Sequence, residues 1–189
     1  MMLLPLQAGM VLLRDERELE AAFAQRAPYL FHGDSSERVI DQGVRSLLCS
    51  RRADALKLWV ALERYGVSGI AALYDHLCAT TAIFHEMIAA HEAFEVVHAP
   101  QSNILCFRWV GTPSRRAAAA EEGWLDEANR LIRERFNRSG EGWITTTLLG
   151  GRRVLRVTIM NPRTTPAHLA EILDGLARTG AELPELVAP

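Results

Sequence analysis

Lysine is almost missing from this sequence. Of its 21 basic residues twenty are arginine and one, Lys57, is lysine, so chemistry that requires a deprotonatable amine has one side chain to draw on. Cysteine is scarce as well. Cys49, Cys78 and Cys106 are odd in number and form no Cys-x-x-Cys pair, which argues against a disulfide framework and for reduced thiols in a cytoplasmic protein. An excess of either charge is missing too: 21 cationic against 23 anionic residues leave a net charge of −2, too little field to attract nucleic acid or an anionic membrane. The six histidines show no metal-ligand spacing, so no metal is expected. No glycine-rich phosphate loop follows a strand, and no Gly-x-Ser-x-Gly elbow is present. The opening run Met1–Leu13 has no cationic start, is broken by Pro5, Gln7 and Gly9, and is too short to span a bilayer. It reads as buried core containing two short strands, 2–6 and 9–13.

With 49% hydrophobic and 23% charged residues over 189 positions, the chain has enough apolar material for one substantial core. Asp15–Ala24 opens with acids and carries Leu19, Ala22 and Phe23 on one stripe, which predicts a short helix. The stretch 28–51 loses periodicity and is too long for an ordinary connection, as functional or mobile loops often are. Helical spacing returns over 53–65, stops at Gly66, and resumes over about 68–91 with Leu73, Leu77, Phe84 and Ile88. Strands are predicted at 94–98 and 104–110, and a helix over 121–138. Two β-rich runs, 142–149 and 152–160, flank Gly150-Gly151, a two-residue hairpin signal. Thr165-Pro166 is an N-cap followed by proline at the first helical position, and the closing helix 167–178 is expected to stop at Gly180. The order predicts an α/β to α+β fold whose antiparallel sheet is covered by helices on one face.

None of this names a reaction; four segments do. Leu47–Trp59 with Tyr65–Gly69, Pro28-Tyr-Leu-Phe31, Ile104-Leu-Cys-Phe-Arg108 and Val154–Thr165, in that family's order, resemble the pyridoxal-phosphate-dependent group II amino-acid decarboxylases. This family includes the aromatic amino acid, histidine, glutamate and diaminobutyrate enzymes. The resemblance covers the later part of such a chain. It implies the end of a fold-type I large domain with a mobile catalytic loop (1–51), connecting helices (52–92) and a C-terminal small domain (93–189). It also implies that the lysine carrying pyridoxal 5'-phosphate would lie upstream of Met1, and that the complete enzyme would be a homodimer acting on an L-amino acid.

By the same resemblance Tyr29 matches the loop tyrosine that returns a proton to the α-carbon after carbon dioxide leaves. A phenol suits that role because it stays protonated at neutral pH. Ser50 and Arg51 match the point where the loop returns toward the active site, where many members carry glycine before the arginine pair. Read without the family, Tyr29 is a half-buried loop aromatic and Arg51 a solvated helix start. Lys57 reads as structural, and Cys49 as an inert thiol. Two rivals to an enzyme fragment remain at this point: a truncated interaction protein that pairs through its exposed apolar strands, and one half of a split decarboxylase.

Overall fold

The computed structural model describes residues 9–24, 45–48, 52–111 and 122–183. They fall into two compact units, one extending to Arg64 and one beginning at Tyr65.

In the first unit, helix α1 (Glu16–Ala22) starts where the acids predicted it. Asp15 is its N-cap, and the Asp15 carboxylate accepts from the Arg17 backbone N–H at 3.0 Å, satisfying one of the donors a helix start leaves unpaired. None of its residues is buried. The expected strand at 9–13 is absent: Met10, Val11, Leu12 and Leu13 have no ladder partners and are 45–85% exposed. The physical reason is that a strand has no stability without a neighbour to receive its backbone hydrogen bonds. The buried-core reading of this segment is therefore corrected for residues 9–13; the other proposed strand, 2–6, lies outside the described residues. Leu56, Trp59 and Val60, on the first turns of α2 (Asp54–Ala89), are also exposed.

α2 is broken where the sequence breaks it. Gly66 takes φ 67° and ψ 172°, a left-handed, non-helical conformation that glycine adopts without a Cβ clash. Among the described residues this is the one helix long and apolar enough to cross a membrane. Its second part, in the unit from Tyr65, instead buries Leu77, Phe84 and Ile88.

That second unit is built on a sheet of β1 (Phe94–Val96), β2 (Ile104–Trp109), β3 (Thr145–Leu149) and β4 (Arg152–Thr158), antiparallel throughout and ordered β1-β2-β4-β3. The β3–β4 hairpin turns on Gly150 and Gly151 at φ 58° and 82°, the doubly positive pair that matches the right-handed twist of its strands. Alternation along β2 sends Leu105, Phe107 and Trp109 to one face and Ile104, Cys106 and Arg108 to the other. On the first face Phe107 meets Phe84 of α2 edge-on at 5.8 Å and Phe94 at 5.7 Å. Ala128, Ile132 and Phe136 of α3 (Glu122–Ser139) and Leu169, Leu173 and Leu176 of α4 (Pro166–Ala181) complete the core. The helices thus cover one face of an antiparallel sheet, as the element order predicts.

α4 begins on the expected Thr165-Pro166 pair, and the Thr165 N–H donates in return to the His168 ring Nδ1. Gly180, however, is no stop signal. It lies within α4 and lets the helix backbone press against Trp109, where a Cβ would stand 2.3 Å from Nε1. Trp109 is almost fully buried and cannot move aside into solvent. Gly180→Ala is expected to destabilise the protein by roughly 1–3 kcal/mol through overpacking, read as a fall of several degrees in the midpoint of a calorimetric melt. An unchanged melt would show that the ring and helix can separate freely.

Candidate functional site

Tyr29, Ser50 and Arg51, with Cys49, lie outside the described residues. Lys57 does not. It sits one turn into α2, and Nζ donates to Asp54 Oδ1 at 2.7 Å, an i,i+3 pair on the helix surface with both side chains about 30% exposed. Close by in sequence, Arg45 bridges α1: Nη2 lies 2.7 Å from Glu20 Oε1 and 3.5 Å from Glu16 Oε2, with the side chain only 14% exposed.

The most polar interior of the second unit is where α3 meets the sheet. The β2–β4 ladder ends at Phe107↔Leu155, and its next hydrogen-bonded rung would join Trp109 to Arg153. Side chains of α3 stand in that place. Asn129 accepts from the Trp109 N–H at 2.9 Å and donates to the Trp109 carbonyl at 2.9 Å, pairing with the backbone as a strand would. Asp126 Oδ1 accepts from the Arg153 N–H at 2.7 Å and from Arg108 Nη2 at 2.6 Å. Arg108 and Asn129 are fully buried. A buried guanidinium must be paired, and the carboxylate that pairs it also replaces a missing ladder acceptor. Sequence reasoning singled out Arg108 through its motif but missed Asp126 and Asn129, which read as ordinary polar positions on an amphipathic helix.

At the other end of β4 the same unit contains a cavity of about 650 Å³. Phe84, Ile144, Leu169 and Ile172 supply apolar wall, and Arg156, Thr158, Asn161 and Thr164 also border it. Arg156 lies opposite Cys106 across the ladder. Burial pushes the Cys106 thiol up, and the Arg156 charge opposes that rise. The sequence offered one signal for this place: an arginine in the apolar strand run Val154-Leu-Arg-Val157, shortly before the Asn161-Pro162 turn.

The description "Pyridoxal-dependent decarboxylase conserved domain" matches residues 1–110. Tryptophan decarboxylase 1 of Oryza sativa subsp. japonica is 31% identical over 175 residues, covering 90% of this chain and 33% of that protein. L-2,4-diaminobutyrate decarboxylase of Rhizobium meliloti (strain 1021) is 29% identical over 187 residues, covering 97% of this chain and 36% of the relative. Among solved structures, Oryza sativa TDC with PLP and tryptamine superposes with a TM-score of 0.78 at 29% identity, over 90% of this chain and 35% of that one. The chain belongs to the pyridoxal-dependent decarboxylase family, and its fold is part of a fold-type I enzyme. It spans about a third of the length of the relatives it matches.

Pyridoxal phosphate is the cofactor of this family, and it needs an amine in a desolvated pocket to carry it. The lysine present is held by Asp54 on its own helical turn at the surface, and no lysine lines the cavity beside β4. The described residues therefore do not form a site for the cofactor.

The pairing of Arg108 with Asp126 generates a stability prediction. Asp126→Ala removes the acceptor shared by the Arg108 guanidinium and the Arg153 N–H, so unfolding in urea should show a loss of about 1–3 kcal/mol. Asp126→Asn, which keeps an acceptor oxygen, should lose less. Equal losses for the two variants would mean that the negative charge, rather than the side chain's shape or its acceptor oxygen, holds the contact.

Proposed function

We propose that this chain is the C-terminal part of a pyridoxal-phosphate-dependent L-amino-acid decarboxylase, a carboxy-lyase that in its complete form works as a homodimer in the cytoplasm. The observation that carries the reading is family membership over a span that covers most of this chain but about a third of its relatives. The named relatives act on different amino acids, tryptophan and 2,4-diaminobutyrate among them, so the substrate is assigned at the level of an L-amino acid.

Within that enzyme Tyr29 holds the proton delivered to the product carbon, and Ser50 and Arg51 flank the substrate where the loop closes. The phenol is suited to this because it is protonated at working pH and acts once water is excluded. In the intact enzyme Tyr29→Phe should abolish amine formation while leaving cofactor absorbance in place. Undiminished turnover would remove the assignment.

The 189-residue chain by itself should not decarboxylate. Its one lysine is engaged with Asp54 at the helix surface. Incubation with pyridoxal phosphate, borohydride reduction and peptide mapping should leave Lys57 without label, and no carbon dioxide should be released from a panel of amino acids. Specific label on Lys57 together with turnover would overturn this.

A second reading has its own support: a chain that works by pairing, either as a non-catalytic partner or as half of a split enzyme. Met10–Leu13 and the Leu56, Trp59 and Val60 positions of α2 leave seven large apolar side chains exposed in the first unit, more than isolated surface residues would explain. Mixing this chain with a polypeptide carrying the upstream part of a homologue separates the two forms. Restored activity identifies a split enzyme; association without activity identifies a non-catalytic partner.

A further inference from the structure

The cavity beside β4 is bordered by six consecutive residues, Arg156 to Asn161. Successive side chains of a strand point to opposite faces, so a cavity that meets all six runs along the strand's edge rather than over one face. That edge is open because β3 stops short. The β3–β4 ladder begins at Thr145↔Arg156, and the next hydrogen-bonded rung would set Trp143 opposite Thr158. Trp143 lies outside β3, and the chain around it is tied to α3 instead. The Asn137 amide bonds both backbone groups of Ile144 at 2.9 Å, and Gly142 lies so close to Phe136 that a Cβ would stand 2.8 Å from the ring. On the β2 side, Ile159 donates its N–H to the Asn103 carbonyl at 2.9 Å and accepts from the Asn103 amide at 2.8 Å. Alternation then turns the N–H and C=O of Thr158 the other way, into the gap, where nothing among the described residues bonds them.

On the helix side of this edge Phe84, Ile144 and Leu169, all buried, and Ile172 form an apolar pocket. An unpaired edge beside an apolar pocket accepts an added strand, whose main-chain bonds give affinity and whose alternate side chains give specificity. Ile144 already occupies the position opposite Val157, so an added strand stops at Thr158. The end that stops there is a C-terminus if the strand runs antiparallel to β4, as β3 does, and an N-terminus if it runs parallel. Among the described residues Arg156 is the one charged side chain bordering the gap, and its field favours a carboxylate over an ammonium. We propose that this gap binds the C-terminal segment of a partner polypeptide, antiparallel to β4, with a large aliphatic residue next to last. The terminal residue donates its N–H to the Thr158 carbonyl, and its carboxylate accepts from the Thr158 N–H. The residue before it stands opposite Ile159 and points its side chain to the same helix-covered face, into the pocket. The site lies outside the decarboxylase reading and does not rest on it.

The probe is acetyl-Ala-Ala-Leu-Ala with a free C-terminal carboxylate, titrated into the full 189-residue chain by calorimetry. It should bind saturably at one site per chain. The same peptide as its C-terminal amide, with its terminal residue N-methylated, or with alanine in place of leucine should bind about tenfold or more weaker in each case. A diazirine analogue of the leucine, irradiated in the complex, should place its label at Ile144, Leu169 or Ile172 or on their immediate neighbours. Absence of saturation would overturn the proposal, as would equal affinity for any of the altered peptides or label elsewhere in the chain. An apparent affinity that falls as chain concentration rises would assign the gap to a second copy of the chain, and would overturn it also.

Discussion

Two side chains of α3 stand in for a missing rung of the sheet, and the second unit is organised around them. Asn129 pairs with both backbone groups of Trp109, and Asp126 takes the Arg153 N–H together with the Arg108 guanidinium. Buried backbone groups must find partners. Here they find them on a helix, so the helix is tied to the sheet by directional bonds as well as by apolar burial. That tie holds Trp109 at the end of β2, and Trp109 is the surface onto which Gly180 of α4 closes. One polar contact thereby sets the position of two helices over one face of the sheet.

The two units differ in how far they satisfy themselves. The one from Tyr65 onward has a core of interlocking rings, with Phe107 edge-on to both Phe84 and Phe94 and Phe94 edge-on to His91, an arrangement aromatic quadrupoles favour. The one ending at Arg64 has a capped helix without a buried residue, a bridging arginine and exposed apolar side chains. The unit from Tyr65 onward contains its own core, and the unit ending at Arg64 presents exposed apolar side chains.

Much of the second unit was legible because its signals are local. Glycine pairs with positive φ, an N-cap followed by proline, and alternation along β2 each act over a few residues, and each produced the element it predicts. The hairpin at Gly150-Gly151 and the break at Gly66 fall where the sequence places them. Gly9–Leu13 failed as a strand because strand formation is a property of a pair, and an apolar run does not reveal whether its partner is present. Gly180 was misread for a related reason: a glycine near a helix end looks like a terminator, whereas a glycine that admits a tryptophan 71 residues earlier in the chain looks no different in one dimension.

By itself the sequence determined the order and type of the elements of the unit from Tyr65, the single amine the chain has to offer, and, through four short motifs, the family. These are matters of residue identity and short-range spacing, which survive without knowledge of what packs on what. Only the tertiary structure decided that Lys57 is spent on Asp54, and that Asp126 and Asn129 complete a sheet rather than a solvated helix face. Such roles depend on groups brought together from distant parts of the chain, and the energy of a buried charge or an unpaired backbone amide is set by those neighbours.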